Sequence, residues 1–161
     1  MVEMTFGTKA GGIRASHVMP RCAIAAGSNV LTLMGAVLVE YIAPGDRVIT
    51  RSGARTVRSV QISVVKSAEV VRISEGVLAK DRPEQDISVS PEQPILIRDW
   101  RAKALASTSQ TLIPAARLVD GEYVRKLAVD EVWMISLHFD ETEIIYANGL
   151  ELICEPVNAL V

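Results

Sequence analysis

Aromatic side chains are scarce in this chain of 161 residues: two Trp, three Tyr and two Phe make up 4% of it. Aliphatic residues must therefore fill the core, and the stacking platforms that single-stranded nucleic acid requires are too few. An excess of charge of one sign is also lacking. The 17 basic residues face 19 acidic ones, the net charge is −2, and no basic cluster stands out, so neither balance nor patterning points to nucleic acid. Two cysteines, Cys22 and Cys154, are too few for a disulfide framework, although one bridge between them stays open, and neither lies in a C-x-x-C pair. Only His17 and His138 accompany them. His17 and Cys22 lie close in sequence in a flexible-looking segment, but two ligands do not make a zinc site. No metal or cofactor is expected. No apolar run reaches membrane-spanning length, and the best stretch, Val30 to Ile42, is interrupted by Thr32, Gly35 and Glu40. Residues 1–21 lack the apolar stretch of a signal peptide. The default expectation is a soluble cytoplasmic protein with neither membrane nor nucleic acid as partner. A signal-less route of secretion would leave no trace in such features.

What is present is ordinary for a globular chain: 49% hydrophobic and 22% charged residues, in a length that suits one domain with a sizeable core. Residues 1–22 contain Gly7, Gly11, Gly12 and Ser16 without sustained periodicity and read as a loosely ordered leader. From Ala23 short apolar runs alternate with turn residues, and the domain is expected over 23–156, with a short tail at 157–161. Val30 to Leu33 and Ala36 to Ile42 flank Met34-Gly35. Pro44-Gly45-Asp46 is a turn, because Pro presets φ and Gly tolerates a positive one. Arg47 to Thr50 follows as a strand, and Ser52-Gly53 as another turn.

Period-2 alternation marks the strands beyond. Val60, Ile62 and Val64 alternate with Gln61 and Ser63, Ile87 and Val89 with Ser88 and Ser90, and Ile95 and Ile97 follow Pro94. Trp133, Ile135, Leu137 and Phe139 share one strand face, with Met134, Ser136, His138 and Asp140 on the other. Asn148-Gly149 between two apolar runs is the strongest hairpin signal in the chain. Glu75 to Asp86 reads as a long connection. Helix is minimal: Arg101 to Leu105 and Pro114 to Leu118 offer one turn each. About ten short strands therefore predict an all-β barrel-like or sandwich fold, without an internal repeat in the sequence.

Several blocks, taken in order, resemble the Hint (Hedgehog/intein) domain family of the bacterial stand-alone type. Ile24-Ala25-Ala26-Gly27-Ser28-Asn29-Val30-Leu31-Thr32 is similar to an opening C-F-x-x-G-T-x-I-x-T without its leading Cys. Val39-Glu40-Tyr41-Ile42-Ala43-Pro44-Gly45-Asp46-Arg47-Val48-Ile49-Thr50 resembles V-E-D-L-x-P-G-D-x-V-L-T, and Val89-Ser90-Pro91-Glu92-Gln93-Pro94-Ile95-Leu96 resembles V-S-P-x-H-x-V-L. Leu112 to Gly121 is similar to L-V-P-A-R-x-L-V-N-G. Phe139 to Ile144 and Ala147 to Leu150 resemble L-F-D-x-H-E-V and A-x-G-L. The resemblance runs from about Ala23 to Glu155 and implies a pseudo-two-fold β fold with a reactive site near the start of the domain.

It also implies self-cleavage by an N-to-S acyl shift. The first side chain of the domain attacks the preceding carbonyl, which needs a nucleophile, a proton carrier and donors for the oxyanion. Aligned without gaps, the family's Cys falls on Ala23, its first His on Gln93 and its later His on Thr142. Ser90 remains as a hydrogen-bond donor. The leading expectation is thus a degenerate Hint domain, no longer self-cleaving, acting as a binding or structural module for a protein partner or a second copy of itself. The alternative is active autoprocessing at Cys22 through a one-residue shift, with Ser90 or Thr142 orienting the bond. An unrelated small β-barrel binding module is the third reading.

The remaining polar residues have plainer expectations. His138 is read as solvated or hydrogen-bonded, Cys154 as packing, and Asp46 and Arg47 as turn and strand residues. Asn158-Ala159 lacks the neighbours of an intein's cyclising Asn. The acidic residues Glu84, Asp86, Asp140, Glu141 and Glu143 are read as solvated loop and turn charges.

Overall fold

The computed structural model describes residues 4–5 and 12–160. Fourteen strands and one short helix are found there, so the all-β expectation is met with more strands than the ten foreseen. The chain begins with β1 (Met4–Thr5), β2 (Gly12–Ser16), β3 (Ile24–Ala25), β4 (Asn29–Thr32) and β5 (Gly35–Leu38). After a 3₁₀ turn at Val39–Tyr41 come β6 (Arg47–Thr50), β7 (Gly53–Thr56), β8 (Ser59–Ile73), β9 (Ile87–Val89) and β10 (Pro94–Ile97). Helix α1 (Trp100–Ala106), β11 (Thr111–Pro114) and a 3₁₀ turn at Ala115–Leu118 lead to β12 (Val124–His138), β13 (Glu143–Ala147) and β14 (Leu150–Cys154).

One sheet has the order β1-β2-β8-β12-β3-β9, and β9 also pairs with β8, closing a ring of four strands. The second runs β11-β10-β14-β13-β4-β6-β7, with β5 paired to β4. The strand order of the first half reappears in the second. A short strand, a pair of antiparallel strands, a 3₁₀ turn and a glycine turn occur from β3 to Gly45 and again from β9 to Gly121.

Two strands were not foreseen at their full length. β8 and β12 are 15 residues each and pair antiparallel from Ser59 opposite His138 to Ile73 opposite Val124. Midway, Ser67 has φ +49°. Beyond it the inward phase inverts: Val60 and Ile62 pack in the main core from one half of β8, Val71 and Ile73 from the other. On β12 the same change separates Ile135 and Leu137 from Val124. The opposite face of the ribbon forms a smaller cluster of Val70 and Met134 with Ala23 and Ala25. The inversion at Ser67 therefore keeps both halves of the ribbon packed on the main core.

The leader expected at residues 1–22 lies partly outside the described residues. Gly12–Ser16 is a strand, running parallel to β8 from Gly12 beside Ser59 to Ser16 beside Ser63. Its backbone bonds supply the order that its sequence pattern does not announce. In the tail, Val157–Leu160 forms a 3₁₀ turn that carries the exposed Asn158.

Candidate functional site

Ala23 lies just ahead of β3, a two-residue strand held between two neighbours. Ile24 pairs with Val89 of β9 on one side and with Ile135 of β12 on the other. The peptide units leading into it are gripped by side chains. Ser90 Oγ donates to the Pro20 carbonyl at 2.7 Å, and Ser136 Oγ to the Cys22 carbonyl at 2.6 Å. The Ala23 carbonyl accepts the Ser90 N–H at 3.0 Å. Cys22, Ala23, Ser90 and Ser136 are all 5% exposed or less.

Cys22 is placed beside charged partners. Arg21 Nη1 is 3.4 Å from its sulfur and 3.3 Å from Glu155 Oε2. Burial pushes the Cys22 thiol up to about 12, with the Glu155 carboxylate adding to the effect and Arg21 opposing it. Thiolate, the reactive form, is correspondingly rare at neutral pH. Cys154, also a free thiol, is buried near Cys22, and its pKa is likewise raised, chiefly by burial.

Gln93 is 1% exposed, and its side-chain amide donates at 2.9 Å to the carbonyls of Pro94 and of Ile153. It thus ties β10 to β14 and has no proton to relay. Thr142 sits exposed on the loop between β12 and β13. Its neighbours belong to other interactions: Asp140 pairs with Arg58 at 3.1 Å, and Glu143 accepts from Ser52 Oγ at 2.5 Å.

His138 is 3% exposed rather than solvated. Its Nδ1 is 3.2 Å from the Glu155 carbonyl, while the buried Nε2 has no partner among the described residues. Desolvation lowers its pKa, with the Glu155 carbonyl and carboxylate opposing and Arg14 adding to the fall. Ser136 and His138 share a strand face in the sequence pattern, but nothing in that pattern points them toward Cys22. Glu155 was missed altogether.

The other expectations divide. Glu143 is 7% exposed on β13, with Arg55 at 3.5 Å, so it is a buried charge rather than a solvated one. It faces the hydroxyls of Thr50 and Ser52, which the hairpin between β6 and β7 brings against β13. Asp46 Oδ2 accepts the Ala43 N–H at 2.9 Å and closes the Pro44-Gly45 turn, whereas Arg47 begins β6. Asp86 pairs with Arg72 at 3.0 Å. Exposed His17 turns its Nδ1 to the Val64 carbonyl at 3.1 Å. Among the described residues no group of three His, Cys, Asp or Glu side chains could hold a metal ion, and no helix is long and apolar enough to cross a membrane.

A two-sheet β fold with a gripped, buried peptide segment at the start of the domain is the architecture of the intein-like class. The profile of the Hint domain family matches residues 22–155, and the chain belongs to that family. No curated protein sequence matches it. Among solved structures, the bacterial intein-like domain from Clostridium thermocellum is similar at a TM-score of 0.58 and 19% identity, over 83% of this chain and 98% of that one. The MchDnaB-1 intein is similar at a TM-score of 0.53 and 11% identity, over 81% of this chain and 98% of that one. A splice-inactive variant of the AceL NrdHF class 3 split intein gives a TM-score of 0.53 at 13% identity, over 83% and 97%. At these identities the likeness is one of fold.

Proposed function

We propose that this chain is a retired Hint domain: it keeps the grip on the peptide at the family's reactive position but does not cleave itself, and it acts as a binding or structural module. The observation that carries this reading is the Cys22–Ala23 peptide bond. Ser136 polarises its carbonyl at 2.6 Å, yet the residue that follows offers only a methyl group. At the position of the family's His, Gln93 has its amide committed to two carbonyls. Losing nucleophile and proton carrier together removes the acyl shift rather than slowing it. Another protein or a second copy of the chain is the partner this reading implies. Exposed Leu33, Met34 and Tyr41 offer apolar surface for it.

Restoring the chemistry tests the reading. The variant Ala23→Cys with Gln93→His is expected to release a fragment beginning at residue 23 when incubated with excess thiol. A folded variant that stays intact would remove Ala23 from the reactive position.

One observation favours a second reading, autoprocessing by Cys22 itself: its thiol lies beside Arg21 and Glu155, and the family match begins on it. That reading requires cleavage after Arg21, abolished by Cys22→Ala. The raised thiol pKa works against it, because the attacking form is scarce.

A further inference from the structure

Strand β14 carries a second arrangement, one that a self-cleavage site does not need. Glu151 and Cys154 stand an odd number of residues apart on this strand, so their side chains leave opposite faces. The Glu151 side chain is 4% exposed, and three arginines from three separate segments converge on its carboxylate. Arg51, just past β6, and Arg98, just past β10, each donate to Oε2 at 2.6 Å. Arg82, from the long connection between β8 and β9, stands 3.7 Å from Oε1. A single guanidinium would balance one carboxylate. Three leave positive charge in excess, and their side chains remain 37–51% exposed.

Arg82 and Arg98 also line a cavity of about 200 Å³ whose walls include Leu78, Leu96, Ile97 and Leu150. Asp99 lies on its rim, where it is already engaged by Arg101. Glu84 stands across Gly149 in the adjoining hollow. The cavity is thus apolar along its walls and cationic at one end.

Each half of this environment selects for part of a ligand. Planar guanidinium forks match a carboxylate in two-point geometry. Apolar walls around a few polar groups suit a compact hydrocarbon body. What sets a hydrocarbon carboxylate apart from an inorganic anion is the apolar wall, since phosphate has no body to lay against Leu78, Ile97 and Leu150. We propose that this cavity binds a small carboxylate bearing an aliphatic group, with the carboxylate on Arg82 and Arg98 and the body against Leu78, Ile97 and Leu150. The site stands whether or not the domain processes itself, since no residue of the Cys22–Ala23 segment takes part.

Arg82 is the arginine to remove. It is the farthest from Glu151, and its loss leaves that carboxylate paired with Arg51 and Arg98. Isocaproate is titrated into the full chain while the backbone amide resonances of Leu78, Arg98 and Leu150 are followed by NMR. Isocaproamide and inorganic phosphate serve as the comparison probes. The expected result is saturable shifts with isocaproate and none with the amide. Arg82→Gln is expected to weaken binding about tenfold, the order of one charge-assisted hydrogen bond, with an unchanged urea midpoint. Equal binding of the amide would mean that the arginines do not read the ligand, and overturns the proposal. Tighter binding of phosphate would make this an inorganic-anion site, and also overturns it. Absence of saturable shifts up to the solubility of isocaproate would reduce the cluster to a staple between β6, β10 and β14.

Discussion

Ser136 on β12 donates a 2.6 Å hydrogen bond to the carbonyl of Cys22, joining residues 114 positions apart in a buried setting. This bond fixes the entry of the domain onto its central ribbon. Ser136→Ala leaves a buried carbonyl without that partner, which costs about 1–3 kcal/mol. Urea denaturation is expected to show the loss as a lower midpoint with unchanged slope. The purified variant is expected to remain full length.

Both thiols are buried and their pKa values are raised, that of Cys22 to about 12. Alkylation by iodoacetamide near neutral pH is therefore expected to be slow in the native protein and fast in urea. Mass spectrometry of peptides containing Cys22 and Cys154 checks this. Native labelling at the rate of the unfolded chain would contradict the burial described for Cys22.

His138 makes stability depend on pH in a stated direction. Its folded pKa lies below the ordinary 6.5 because burial disfavours the imidazolium. As pH falls below that value the unfolded chain takes up a proton that the folded chain does not. The stability contributed by the neutral imidazole is thus fully present above pH 6.5 and is lost as pH falls. His138→Gln is expected to flatten the fall in stability as pH drops below about 6.5. Asp86 and Asp120 act lower on the scale. Their pKa values are depressed, chiefly by the N–H of Glu75 and of Val124 respectively, so their contribution is lost as pH drops below the ordinary 3.8.

The hairpin between β13 and β14 turns on Asn148 (φ +47°) and Gly149 (φ +83°). A Cβ on Gly149 would lie 2.9 Å from Glu84 Oε1, and the left-handed backbone adds strain of its own. Gly149→Ala is expected to cost about 1–2 kcal/mol, most of it from the backbone because the Glu84 carboxylate can move aside. Thermal denaturation reads the change directly.

The short elements were legible because local chemistry defines them. Asn148-Gly149, Pro44-Gly45-Asp46 and the alternation at Ile87 to Val89 each appear where the residues place them. The two 15-residue strands were not legible as units, since the inward phase inverts at Ser67 and a period-2 pattern breaks there. β2 was missed for a different reason: its order comes from parallel pairing with β8, a partner more than 40 positions away. At the candidate site, the residues around Ala23 could be set out by resemblance. The roles of Ser136 and Glu155 could not, because only the folded sheet brings β12 and the end of β14 against Cys22. Glu143 looked like a solvated charge for the same reason, its arginine partner Arg55 lying 88 positions away.

The central claim is that the chain keeps the Hint fold without its self-cleavage. The most direct test is the intact mass of freshly purified protein before and after incubation with excess thiol. The account predicts one species at the full 17.5 kDa under both conditions. A shortened species beginning at Cys22 would contradict it and place the chemistry one residue ahead of Ala23.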